Sequence, residues 1–204
     1  MKIILILLFS YLLGSIPNGY ILGKYTVNKD IRKYGSGNVG ATNVARIAGY
    51  KVGLIVAILD IAKGFLAVYI AELFLIPQYS MIFVFSAAIL AVIGHNWSIF
   101  LSLNGGKGVA TSVGILLNLF PYSLLVFFVV WVLMIISTKI VSVGSLIGAV
   151  SLPLSILFIY DGSTDNITFG LLIALLIIFS HRTNIQRLIK GNENKMSWPP
   201  RGDR

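Results

Sequence analysis

The chain has 204 residues, of which 57% are hydrophobic and only 11% charged, with no cysteine and a formal net charge of +9. A soluble domain carries about 25% charged residues, so an ordinary soluble enzyme, a disordered chain and a disulfide scaffold are all excluded. The composition suits a lipid bilayer, and its basic excess reads as membrane topology and contact with lipid headgroups, not as nucleic-acid binding.

Seven apolar segments follow in chain order: 3–23, 53–76 (stopped by Pro77), 80–93 with an extension toward 103, 109–117, 122–136, 143–160 and 167–179. The fourth is short against the roughly 20 residues that a span requires. Fusing it with the fifth, through a kink at Pro121, is the competing reading. Charge decides between them. With seven spans and the N-terminus outside, 14 of the 16 basic residues fall on one face, leaving only Lys2 outside and Lys63 within a helix. The loops near Pro77, Pro121 and Asp161–Asp165 carry no Lys or Arg. Fusion would place Lys139 and the C-terminal basic tail outside, against the positive-inside rule. The expected fold is therefore an all-α integral membrane protein of seven transmembrane helices, with a cytoplasmic C-terminus. Residues 1–204 are expected to form one membrane-embedded domain. Lys2 and the apolar run behind it resemble a signal peptide, but no small-x-small cleavage pattern closes the run. The Gly14-Ser-Ile-Pro17 stretch reads instead as helix continuing through a kink.

Three polar constellations are expected on the basic face. The first, Gly35 to Arg46, combines glycines (Gly35, Gly37, Gly40) with Ser36, Asn38, Thr42, Asn43 and Arg46. Glycine lets backbone N–H groups approach an anion closely, and a guanidinium grips phosphate in a bidentate fork. Thr42 is the expected cap of a short helix carrying Arg46. The second, Asn104-Gly-Gly-Lys-Gly-Val-Ala-Thr111, precedes the fourth span. Glycines, Lys107 and a helix N-terminus make a phosphate cradle in physical terms. It is not a Walker A loop, because Leu101 stands where the first Gly belongs and Gly108 follows Lys107. In the third, His181 to Glu193, His181 and Asn184 are three residues apart and share a helix face. Arg182, Arg187 and Lys190 are expected to meet headgroups.

Asp60 and Lys63 share a face inside the second span, as a functional site or as a self-neutralising structural pair. His95 reads as structural. No cofactor is expected, and no His/Asp/Glu cluster has the spacing of a metal site. A Ser-His-Asp site lacks a credible acid on the basic face. Three anion-friendly loops with few carboxylates favour a phosphorylated substrate.

Ser36-Gly-Asn-x-Gly-Ala-Thr-Asn-x-x-Arg46, Gly105-Gly-Lys-Gly-Val-Ala-Thr111 and His181-Arg-x-Asn-Ile-x-Arg-Leu-x-x-Gly-x-Glu193 resemble, in order and over nearly the whole chain, the three signature motifs of bacterial acyl-phosphate:glycerol-3-phosphate acyltransferases, the PlsY family. Gly14-Ser-Ile-Pro-x-Gly19, Asp60-x-x-Lys-Gly64 and Gly94-His95 fit the same pattern. The resemblance implies an enzyme of the bacterial inner membrane with its active site facing the cytoplasm. It would move a fatty acyl group from acyl phosphate to the sn-1 hydroxyl of glycerol 3-phosphate, giving lysophosphatidate and inorganic phosphate. Ser36, Arg46, Lys107, His181 and Asn184 are the implied catalytic residues. Gly37, Asn38, Gly40, Thr42, Asn43, Asn104, Gly105, Gly106, Gly108 and Thr111 are the implied substrate contacts, and Glu193 a structural support. The implied functional partner is a soluble acyl-phosphate synthase.

An acyl phosphate is already activated, so no covalent acyl-enzyme is required. The His-x-x-x-x-Asp dyad of another acyltransferase class is absent, since Phe100 and Gln186 stand five residues beyond the two histidines. A transporter of an organophosphate is the rival class. It is disfavoured because no inverted repeat is present and the polar motifs crowd one face instead of the midplane.

Overall fold

The computed structural model describes residues 1–75 and 81–196. The expected turn at Pro77 and the last basic residues, Arg201 and Arg204, lie outside the described residues. Among the described residues every regular element is helical: α1 (Lys2–Ser15), α2 (Asn18–Val27), α3 (Ala41–Ala48), α4 (Tyr50–Leu75), α5 (Met81–Asn96), α6 (Val109–Leu119), α7 (Pro121–Thr138), α8 (Val141–Ile159), α9 (Thr164–Ser180) and α10 (Arg182–Ile189). Short 3-10 turns cover Ile31–Lys33 and Ile99–Leu101. Each of the seven apolar segments is helical over most of its described residues. The first, expected as one kinked helix, is two, α1 and α2, parted at Ile16 and Pro17.

Five segments are long and apolar enough to cross a bilayer: Lys2–Val27, Tyr50–Leu75, Met81–Leu101, Pro121–Thr138 and Val141–Ile159. A sixth is formed if α9 and α10, bent by 59°, count as one. At 11 residues α6 is about 16 Å long, half of a 30 Å hydrocarbon core. Large side chains such as Phe158 (81% exposed) and Ile4 (70%) point outward, as lipid-facing residues must when the surrounding solvent is itself apolar.

The chain forms two compact units, Met1–Pro121 and Tyr122–Arg204. In the first, small residues set the helix packing. A Cβ on Gly14 would fall 2.1 Å from the Ala91 carbonyl oxygen, and one on Gly94 would fall 2.2 Å from that of Tyr11, so α1 and α5 meet backbone to backbone. Gly64 and Gly114 do the same for α4 and α6, against the carbonyls of Thr111 and Ile61. Such approach replaces the hydrophobic drive that lipid cannot supply. Pro17, which lacks an N–H, separates α1 from α2. The carbonyls near the break are taken up elsewhere: Ser98 Oγ donates to Ser15 O at 2.5 Å, and Lys63 Nζ to Ile16 O at 2.9 Å.

In the second unit Gly148 admits the Phe127 ring and Gly144 approaches Trp131, packing α7 on α8. Gly170 lies against Pro153 and Ile156, packing α8 on α9. Ser163 caps α9 by accepting the N–H of Asn166.

Candidate active site

The first motif follows the Ile31–Lys33 turn. Asp30 caps that turn through the N–H of Arg32, whose guanidinium also bonds the carboxylate at 2.8–3.3 Å. Chiefly through these Arg32 bonds, the Asp30 carboxyl is held at about 2. The loop then winds around Asn43. The Asn43 side chain is 1% exposed; its oxygen accepts the Ser36 N–H at 2.8 Å. Its amide protons are shared among the carbonyls of Asn38 (2.8 Å), Tyr34 (3.2 Å) and Ile31 (3.3 Å). Asn38 Oδ1 in turn accepts the Gly40 N–H at 2.8 Å. Gly35 has a φ of +60°, and a Cβ there would lie 2.3 Å from Asn43 Oδ1, so only glycine fits that corner.

The helix cap is Gly40, not Thr42. Extended Gly40 offers its carbonyl to the N–H groups of Asn43 and Val44, which puts Thr42 inside the first turn, exposed. Arg46 stands in the last turn of α3, also exposed, while Ser36 is half-buried. Asn43 thus shapes the loop from beneath, and Ser36, Thr42 and Arg46 occupy its accessible side.

The second motif is held differently from a free phosphate cradle. Gly105 N–H donates to Asn96 O at 3.0 Å, and Gly106 N–H to His95 O at 2.8 Å. The two glycines therefore spend their donors on the end of α5. What they allow is contact: a Cβ on Gly105 would fall 2.0 Å from His95 O, and one on Gly106 would fall 2.0 Å from His95 Nε2. Lys107 follows, half-buried, and Gly108 at φ +78° turns the chain into α6, which has no side-chain cap. The first-turn N–H groups of that helix are the anion-suited donors left. Thr111 is fully buried against α4, and its hydroxyl has no hydrogen-bond partner. Asn104 is exposed.

The first two motifs belong to the first unit. Val39 and Val44 of the first pack in a hydrophobic cluster with Ile31, Val56 and Leu101, and Leu101 stands three residues ahead of the second motif. A small, partly open pocket lies beside it, lined among others by Asn18, Val39, Asp60, Lys63, His95 and Gly105. Asn18 and Ser98 are polar members of this region that sequence reasoning passes over. The one signal for Asn18 is its place directly after the helix-breaking Pro17.

The third motif is built within the second unit. His181 sits at the corner between α9 and α10, 3% exposed, and Asn184 is 4% exposed. His181 Nδ1 lies 2.8 Å from Ile177 O. A carbonyl only accepts, so Nδ1 is a protonated nitrogen in this contact. Glu193 accepts from Asn184 Nδ2 (2.6 Å), Arg187 Nε (2.7 Å) and Ser142 Oγ (3.1 Å). Burial raises the Glu193 carboxyl, but the bonds from Arg187, Asn184 and Ser142 outweigh it and hold it below the ordinary carboxylate range. Among the described residues no group of His, Asp and Glu could hold a metal ion.

Helical in every regular element among the described residues, with five segments long and apolar enough to cross a bilayer and glycine- and donor-rich loops at helix ends, the chain has the build of an integral membrane protein. Residues 4–191 match the family model described as glycerol-3-phosphate acyltransferase, and the chain belongs to that family. It is 45% identical over 196 residues to the glycerol-3-phosphate acyltransferase of Thermoanaerobacter sp. (strain X514), covering 96% of each chain. It is 41% identical over 203 residues to that of Staphylococcus carnosus (strain TM300), covering 97% of this chain and 100% of the other. Its fold is similar to the crystal structure of PlsY (YgiH), an integral membrane glycerol 3-phosphate acyltransferase, in the glycerol 3-phosphate form, with a TM-score of 0.89, 36% identity and coverage of 97% and 96%. The lysophosphatidic acid form of PlsY matches at a TM-score of 0.86 and 34% identity, covering 98% of both chains.

Proposed function

We propose that the protein transfers a fatty acyl group from acyl phosphate to the sn-1 hydroxyl of glycerol 3-phosphate, releasing lysophosphatidate and inorganic phosphate, without a covalent acyl-enzyme. The observation that carries this reading is the family match over residues 4–191. The glycerol hydroxyl oxygen attacks the acyl carbonyl carbon, the bond from that carbon to the phosphate oxygen breaks, and phosphate leaves with both bonding electrons. The hydroxyl proton passes to His181 Nε2 or to a phosphate oxygen of the substrate itself. Arg46 and Lys107 hold phosphate charge, Ser36 and the loop from Gly37 to Asn43 orient one substrate, and the α6 N-terminus behind Asn104–Gly108 serves glycerol 3-phosphate. Asn184 sets the His181 side, with Glu193 behind it. Proximity of two anionic substrates and charge stabilisation of the tetrahedral intermediate supply the rate.

The chain works as one acyltransferase domain, residues 1–204, crossing the inner membrane seven times with α6 as a short crossing. The N-terminus is outside and the site cytoplasmic, where a soluble acyl-phosphate synthase supplies the donor. Purified protein given acyl phosphate and glycerol 3-phosphate should form lysophosphatidate and inorganic phosphate in equal amounts. Product formed only when acyl-CoA replaces acyl phosphate would overturn the donor assignment.

A further inference from the structure

Inside the first unit, charge is buried where the three motifs do not use it. Asp60 is 2% and Lys63 4% exposed, one turn apart on α4, with Lys63 Nζ 2.9 Å from Asp60 Oδ1. Burying an ion pair in an apolar span costs desolvation on both partners, so its retention calls for a role. The pair is also tied outward. Asn18 Nδ2 of α2 donates to Asp60 Oδ1 at 3.0 Å, and Lys63 Nζ donates to Ile16 O at the α1–α2 break. The same Asp60 oxygen also faces His95 of α5, whose Nδ1 stands 3.8 Å away. That distance is too long for a hydrogen bond, and the contact packs the Nδ1 edge of the ring against the carboxylate.

His95 then carries the geometry to the glycine loop. Its carbonyl takes the Gly106 N–H, the next carbonyl takes the Gly105 N–H, and its ring fills the space a Gly106 side chain would need. One residue later comes Lys107. We infer that Asp60, Lys63 and His95 are positioning residues: they fix the Gly105–Gly106 backbone on α5 and thereby aim Lys107 and the start of α6. The consequence for substrate rests on the reading that this loop serves glycerol 3-phosphate.

A double-mutant cycle tests the contact. Gly106→Ala alone should raise the KM for glycerol 3-phosphate at least tenfold while leaving the KM for acyl phosphate within twofold. His95→Ala removes the ring and should also raise it. In the double variant the Gly106→Ala penalty should vanish, because the new Cβ occupies the vacated space. Asp60→Asn, which keeps the shape and removes the charge, should behave like His95→Ala. Full additivity of Gly106→Ala and His95→Ala, or an Asp60→Asn variant with unchanged KM, would overturn the proposal. A second readout does not depend on turnover. A spin label on Asn104→Cys in this cysteine-free chain should become more mobile in the His95→Ala and Asp60→Asn backgrounds, and unchanged mobility would refute the positioning role. If the label responds while the unaltered sequence makes no lysophosphatidate, the positioning stands and the proposed reaction falls.

Discussion

The side-chain oxygen of Asn43 accepts the backbone N–H of Ser36 at 2.8 Å, across seven residues of the first motif. Its amide holds three carbonyls of the same loop, so Asn43 needs both an acceptor and a donor at one buried point. Replacement by Asp keeps the acceptor but turns an oxygen toward the three carbonyls. Asn43→Asp should therefore be at least as damaging as Asn43→Ala, although it is the closer isostere. Leaving buried carbonyls unpaired costs roughly 1–3 kcal/mol, visible as a lower melting temperature in detergent with a parallel loss of kcat/KM. An Asp variant that melts with the parent would show that the clamp is not needed.

Much of this fold is legible in the sequence because lipid imposes simple demands. Length and apolarity mark the helices and the run at 118–121 marks the end of α6, while Pro17, which reads as a kink in one continuing helix, lies where α1 has ended and α2 begins. Partner choice is not legible. Asn43 beside glycines reads as an anion donor, yet its partners lie 5–12 residues upstream in a loop that folds back on it. Gly105 and Gly106 read as a phosphate cradle for the same reason. Nothing local to them reveals that the end of α5 takes their N–H groups. Thr111 follows Lys107 at one-turn spacing, but α4 packs closely enough there to bury its hydroxyl.

Topology has its own test in the second unit. Thr164 at the start of α9 and Asn192 after α10 are both exposed. Cysteines placed there should react with a membrane-impermeant maleimide from opposite sides, Thr164→Cys from outside and Asn192→Cys from the cytoplasm. Labelling of both from one side would mean that α9 and α10 form a re-entrant pair and that the basic tail follows another topology.

Glu193 makes a pH prediction with a definite sign. Its carboxyl is depressed in the folded protein, so the folded state binds fewer protons there than the unfolded chain. The stabilisation is fully present above about pH 4.3, the ordinary glutamate value, and is lost as pH falls through the lower folded value. Glu193→Gln should lower the melting temperature at pH 7, where Arg187 loses its partner. The difference from the parent should shrink as pH drops below about 4. A difference that grows with acid would show that burial, not the Arg187 bond, governs this group.

His181 separates two roles that the proposed reaction leaves open. Its Nδ1–H is committed to Ile177 O at 2.8 Å, so a base role would have to run through Nε2. Arg46→Lys provides the contrast, because it keeps charge and loses only the planar fork. It should cost tenfold or more in kcat/KM, in line with the roughly 1.5–3 kcal/mol of a charged hydrogen bond. His181→Gln retains a hydrogen-bonding side chain that does not ionise. If Nε2 is the general base, kcat should fall by about 10²–10⁴ with KM little changed. If instead Nε2 only anchors substrate, kcat should survive within tenfold and the loss should appear in KM for one substrate. The second outcome assigns the base to the substrate phosphate. Thiophosphate substitution in glycerol 3-phosphate, which lowers the basicity of that group, should then slow the parent and the His181→Gln variant by the same factor.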